Sequence, residues 1–100
     1  MDLAAFKESL KQETPPDGVT PALQALWWDA KGDWDKAHRC VDDESGKDAA
    51  RVHAYLHRKE GDAGNAGYWY STAGASPFKG SLDAEWAELA AARLKQPTAK

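Results

Sequence analysis

The sequence predicts an all-α fold of about six short helices, and three features of the chain support this prediction. Apolar residues recur at spacings of three and four, which is the periodicity of an amphipathic helix. Helix-capping residues and glycines follow one another at short intervals. The outline of one helical hairpin, meaning two helices joined by a tight turn, also occurs twice with a constant offset.

The predicted elements form one domain over residues 1–100. They are, in order, an N-terminal helix (2–12), a first hairpin (20–44), a second hairpin (48–74), a C-terminal helix (81–95) and a flexible tail (96–100). In the N-terminal helix, Leu3, Phe6 and Leu10 form one apolar stripe. Pro15 and Pro16 follow this helix and end it, since proline lacks an amide proton and crowds the preceding turn.

The two hairpins have clear start and stop signals. Thr20 precedes a proline and can cap the first helix of hairpin one. Gly32 ends that helix and Asp33 caps the next, and Gly61 and Asp62 have the same roles in hairpin two. The stripes of these helices predict that four of their large aromatic rings lie in the core, namely Trp27, Trp34, Tyr55 and Trp69.

The remaining signals concern the last two helices. Gly64 and Gly67 lie inside the second helix of hairpin two and predict a close approach by a neighbouring backbone, because each costs about 1 kcal/mol of helix propensity relative to alanine. Ser81 caps the C-terminal helix and Pro97 follows its end.

The composition limits the classes of function. The net charge is −3 and acids and bases alternate, so the chain lacks the clustered basic face of a nucleic-acid-binding protein. No run approaches the roughly 20 apolar residues of a membrane span, and the first residues do not resemble a signal peptide. The single cysteine, Cys40, cannot form an internal disulfide. We therefore expect a cytoplasmic protein with no nucleic-acid or membrane partner.

The repeated motif is GDWxxA at residues 32–37 and GDxxNA at residues 61–66, with an offset of 29 residues. It resembles a tetratricopeptide-type or Sel1-like helical hairpin over residues 22–73, and residues 53–74 are similar to short bacterial proteins of unassigned function. The offset is shorter than the roughly 34 residues of a tetratricopeptide unit, and only two copies occur. A short solenoid and a closed bundle both stay open. The resemblance implies a protein or peptide partner but identifies no contact residue.

Two histidines on one helix face are candidate metal ligands. His53 and His57 are spaced i, i+4, a spacing that can hold one transition metal such as zinc. Zinc requires at least a third protein ligand, and the candidates are Glu60 on the same face and His38 or Cys40 on the preceding helix. The alternative is that these histidines hydrogen-bond to neighbouring helices and pack against aromatic rings.

A binding surface is the other candidate site. Trp28 and Tyr68 fall off the core stripes, so we expect them to line a groove with His53, His57 and Arg58 that binds a protein or peptide. The alternatives are core packing of the rings and, for Arg58, a surface ion pair or the binding of an anion.

An enzymatic function is the least supported of these interpretations. It would use His53 or His57 as a general base, oriented by Asp33, Glu60 or Asp62. The sequence contains no nucleophile motif, no phosphate-binding loop and no pair of catalytic carboxylates. It therefore favours a binding protein, and a small metal-binding or enzymatic protein built on His53 and His57 is the alternative.

Overall fold

A computed structural model describes residues 1–95 and confirms the predicted all-α fold. Over this range the chain forms six α-helices and no β-strand. The helices are α1 (Leu3–Glu8), α2 (Pro21–Ala30), α3 (Trp34–Asp42), α4 (Lys47–Glu60), α5 (Ala63–Ala73) and α6 (Leu82–Leu94). A 3₁₀ turn at Ser9–Lys11 continues α1, where the sequence predicted one helix to residue 12. The predicted flexible tail, 96–100, lies outside the described residues.

Side-chain caps set the start of five helices. In each, an oxygen of the capping side chain accepts a hydrogen bond from the amide three residues further on. The capping residues are Asp2, Thr20, Asp33, Asp62 and Ser81. Helix α4 differs, because its N-cap is Gly46, which has no side chain to offer the first-turn amides. Four of the five caps were predicted from sequence.

The turn inside each hairpin has the same geometry, and its glycine and aspartate recur at the 29-residue offset found in the sequence. Gly32 and Gly61 have φ angles of 88° and 90°, a left-handed conformation that glycine adopts without steric cost. The amide of Asp33 donates to the Trp28 carbonyl at 3.0 Å, and the amide of Asp62 donates to the His57 carbonyl at 2.9 Å. Helix α2 therefore packs on α3, and α4 on α5, through equivalent turns.

Helix α4 occupies the centre of the fold, where it contacts α2, α3, α5 and α6. The core beside it contains Trp27 and Leu56, which are both fully buried. Two tryptophan side chains also connect the turn after α1 and helix α6 to this core. Trp27 Nε1–H donates to Ser9 Oγ at 3.0 Å, and Trp86 Nε1–H donates to the Leu26 carbonyl at 2.8 Å. None of the helices within residues 1–95 has the length and apolarity needed to cross a membrane.

Two buried carboxylates were not predicted from sequence. Glu85 is fully buried on α6 and receives hydrogen bonds from Arg51, Arg58 and Tyr70. A second carboxylate, on α2, is almost as buried and has its own partners. Asp29 accepts from the Tyr55 hydroxyl at 2.6 Å and from Lys59 Nζ at 2.8 Å. Buried charges require paired and hydrogen-bonded partners. Here those partners come from other helices, so each carboxylate joins helices that are distant in sequence.

The prediction that Gly64 and Gly67 mark a close backbone approach is wrong. A Cβ atom on Gly67 would meet nothing within 4 Å, and one on Gly64 would meet only the Asp62 carboxylate, at 3.8 Å. Both glycines are exposed, because α5 buries Ala66 and Tyr70 and turns the intervening face to solvent.

Candidate metal centre

Three histidines from two adjacent helices meet between the hairpins. His38 lies on α3, and His53 and His57 lie one turn apart on α4, which packs against α3. One ring nitrogen from each histidine lies within 4.8 Å of the other two. The closest pair is His53 Nε2 and His38 Nε2, at 2.9 Å, where one imidazole donates and the other accepts. We call these three residues the histidine cluster.

The carboxylate of Glu60 orients the third histidine. Glu60 Oε2 lies 2.6 Å from His57 Nδ1, one turn further along α4. A proton on Nδ1 leaves Nε2 as the nitrogen with a free lone pair. Histidines that bind metals commonly donate their other ring N–H to a carboxylate in this way. Asp62 also lies near His57 and Glu60, so these three residues form a second, more exposed group of possible ligands.

Two indole rings enclose the histidine cluster. Trp34 stacks on His38 with ring centres 5.0 Å apart, and Trp69 stacks on His53 at 4.0 Å. Trp34 is itself held in place, because its Nε1–H donates to the Leu56 carbonyl at 2.8 Å. Stacking of this kind restricts the rotamers of both imidazoles, so the cluster is ordered by packing as well as by hydrogen bonds.

Burial keeps His53 neutral. Its side chain is almost inaccessible to solvent, and desolvation followed by the proximity of His38 and His57 lowers its pKa to about 4. Asp42 acts in the opposite direction but more weakly. A neutral imidazole is the form that binds a metal, so His53 needs no deprotonation at pH 7 to act as a ligand.

The dimensions of the cluster match a metal ion after a small adjustment. With Zn–N bonds of about 2.0–2.1 Å, a tetrahedral site places ligand nitrogens about 3.4 Å apart. The closest pair in the cluster, at 2.9 Å, would have to separate slightly, and the widest, which is within 4.8 Å, would have to contract by at most about 1.4 Å. Rotation of side chains on two packed helices can supply movements of this size.

The structure also places the other residues that were named as candidate catalytic groups or metal ligands. Asp33 and Asp62 cap α3 and α5, and hydrogen bonds from Asn65 lower the pKa of Asp62. Cys40 is half-buried against the core, and burial raises the pKa of its thiol. It does not belong to either group of possible ligands within residues 1–95. Asp62 also lies near a candidate general base, since its carboxylate is within 4.8 Å of a ring nitrogen of His57.

The predicted binding residues lie in different environments. Arg58 is held by buried Glu85 and the Gly80 carbonyl, and its guanidinium lies over the Phe78 ring. Trp28 is half-buried against the core, with Lys36 Nζ 4.1 Å from its ring centre. Tyr68 is 62% exposed. Its ring meets that of Trp69 edge-on, so Tyr68 is the member of the set that lies at the surface beside the histidine cluster.

Sequence reasoning named all three histidines and Glu60 but missed the role of the two indoles. It assigned Trp34 and Trp69 to the core, whereas both are half-buried and pack on imidazoles. The spacing of Trp34 and His38, four residues apart on one helix, was the available signal. Contact between Trp69 and His53 depends on how α4 and α5 pack, which no local pattern specifies.

Comparisons of the chain with protein-family models, curated proteins and solved structures found no match. The resemblance to tetratricopeptide or Sel1-like repeats therefore stays a prediction, and the site is interpreted from its own geometry.

Proposed function

We propose that this protein binds one transition-metal ion, such as Zn²⁺, through His38, His53 and His57. The observation that carries this proposal is the convergence of three imidazole nitrogens from two helices within 4.8 Å. Three protein ligands leave a fourth position for water or an external ligand, as in zinc sites that act on substrates. The bonds would also tie α3 to α4, so metal binding would stabilise the interface between the two hairpins.

The chemistry of the surroundings supports the proposal. The Glu60 carboxylate on His57 Nδ1 supplies the outer hydrogen bond that raises the basicity of a metal-binding imidazole. Imidazole ligands suit zinc, copper, nickel and iron, and the cluster contains no thiolate that would favour a softer ion. Zn²⁺ is the first ion to test because three imidazole nitrogens and one open position are a common zinc environment.

The direct test measures metal per chain by elemental mass spectrometry, on untagged protein purified without chelator. We expect close to one metal ion per chain, or uptake of one Zn²⁺ on titration. A metal at a hundred times its dissociation constant would stabilise the fold by about 2.7 kcal/mol. The midpoint of thermal unfolding should then rise by about 10 to 20 °C.

Two sets of variants make this test specific. His38→Ala and His57→Ala should each abolish stoichiometric binding, whereas Cys40→Ser should bind as the wild type does. Glu60→Gln should retain the ion but weaken its affinity by about 10- to 100-fold, because the outer carboxylate is lost. Equal unfolding midpoints with chelator and with excess zinc, together with no bound metal, would overturn the proposal.

A second candidate function, binding of a protein or peptide, is favoured by the exposed ring of Tyr68 beside the half-buried Trp69. Aromatic side chains of this kind are frequent anchors at interfaces. The test compares proteins captured from cell extract by the wild type, Tyr68→Ala and the control Lys79→Ala. A partner lost only with Tyr68→Ala, at unchanged stability, would support this function. Identical capture by all three would exclude Tyr68 as an anchor.

A further inference from the structure

A second site, which shares no residue with the histidine cluster, lies where the start of α4 meets the end of α6. A cavity of about 310 Å³ is lined there by three cationic side chains, Lys47 and Arg51 of α4 and Arg93 of α6. Lys47 and Arg51 are one turn apart on α4, so their side chains extend from the same face. We call this space the cationic cavity.

Arg93 is the buried cation of the three whose hydrogen bonding is incomplete. Its side chain is only 10% exposed, and its Nε is buried with no hydrogen-bond partner among the described residues. The other guanidinium nitrogens have long contacts, 3.2 Å to the Leu89 carbonyl and 3.3 Å to the Asp48 carboxylate. Burial first, and then the nearby charge of Arg51, lower the pKa of Arg93, while Asp48 raises it. A buried guanidinium in this state gains from an additional acceptor.

The charges around the cavity favour an anion. Asp48 and Glu88 also line it, so the three cations and two carboxylates of the cavity have a net charge of +1. The nearby carboxylate of Glu85 is paired with Arg51 and Arg58, so it does not neutralise Lys47 or Arg93. Helix α4 starts at this cavity with Gly46 as its N-cap, and Gly46 has no capping side chain. The positive end of the helix dipole adds to the field and is offset in part by the Asp48 carboxylate in the first turn.

We propose that the cationic cavity binds the phosphate group of a small molecule, either inorganic phosphate or a phosphomonoester. Arginine offers a planar set of donors that matches phosphate oxygens, and lysine adds a mobile charge. The volume of 310 Å³ is at the small end of the range for ligand pockets, so it suits a compact phosphorylated metabolite rather than a nucleic acid. Lys47 lies at the mouth, since its side chain is exposed and its Nζ reaches toward Gly74 at the end of α5.

The experiment titrates inorganic phosphate, and separately glycerol phosphate, into the protein by calorimetry at constant ionic strength set with chloride. Saturable binding of at least one of the two is expected. The variants Lys47→Ala and Arg93→Gln should each weaken it by roughly tenfold or more, because each removes a charge-assisted hydrogen bond. The control Lys79→Ala removes an exposed cation outside the cavity and should leave the affinity unchanged.

The outcomes separate the sources and test the site. Tighter binding of glycerol phosphate than of phosphate would identify a phosphomonoester as the ligand class, and the reverse would identify free phosphate. If Arg93→Gln unfolds the chain, Lys47→Ala carries the test, since Lys47 is exposed and is not part of the core. No saturable binding of either compound below about 10 mM would overturn the proposal. Equal affinities in the wild type and in Lys47→Ala would overturn it as well.

Discussion

The buried carboxylate of Glu85 is predicted to be the polar group whose loss most destabilises the fold. Arg51 Nη1 donates to it at 2.7 Å, Arg58 Nη1 at 2.8 Å and the Tyr70 hydroxyl at 2.6 Å. These donors come from α4 and α5, so the carboxylate joins α6 to the second hairpin. Glu85→Gln keeps the shape of the side chain, removes its charge and places an NH₂ group against one set of donors.

The expected loss of unfolding free energy follows from the burial of the arginines that Glu85 neutralises. Removing one member of a buried ion-pair network leaves the opposite charges without compensation, which costs about 3–5 kcal/mol. Side chains of Arg51 and Arg58 are only 13% and 28% exposed, so water can replace the lost acceptor only in part. For a chain of this length, such a loss lowers the midpoint of thermal unfolding by at least about 12 °C.

The assay is urea denaturation followed by helical circular dichroism, with the dependence on urea compared between variants. The matched control is Glu88→Gln, which removes the same charge from an exposed position on the same helix and should change stability by less than about 0.5 kcal/mol. A loss below about 1 kcal/mol for Glu85→Gln, with an unchanged urea dependence, would refute the reasoning that this network holds α6 in place.

Three further predictions concern other positions. In metal-free protein, the free energy of unfolding should fall by up to about 3 kcal/mol as the pH drops from 6.5 to 4, since His53 binds its proton mainly in the unfolded chain. Denaturation experiments across this pH range should show a smaller fall in the free energy of unfolding for His53→Gln. Tyr55→Phe should cost about 1–3 kcal/mol in urea denaturation because it removes a donor from buried Asp29, and no change would mean that Lys59 alone satisfies that carboxylate. Gly67→Ala should raise stability by about 1 kcal/mol, because a Cβ there meets nothing within 4 Å, and a lower unfolding midpoint would contradict this.

The parts of the fold that were predicted correctly depend on local chemistry. A capping threonine or aspartate acts on amides three residues away, so the starts of α2, α3 and α5 could be identified from a few adjacent residues. The buried carboxylates could not be identified from adjacent residues, because the partners of Glu85 lie up to 34 residues away. A signal did exist, since Glu85 occupies a position on the apolar stripe of α6 between Leu82 and Leu89. An acid at such a position predicts a buried partner without saying which one.

The histidine cluster shows why a repeat can predict a fold better than it predicts a site. The positions that recur at the 29-residue offset are those that shape the hairpins: two left-handed glycines, two capping aspartates, and four buried alanines, which are Ala25, Ala37, Ala54 and Ala66. The ligand positions do not recur. His53 and His57 correspond to Gln24 and Trp28 in the first copy, and His38 corresponds to Gly67 in the second.

The proposed site is therefore built from residues at which the two copies differ, placed by residues at which they agree. The i, i+4 pair on α4 was visible locally, but the third ligand enters only because α3 of one hairpin packs on α4 of the next. A repeat that brings two unlike faces together once creates a single asymmetric site. On this argument, exchanging Trp28 for histidine would not create a second cluster, because the first copy has Gln24 where His53 stands and the second has Gly67 where His38 stands.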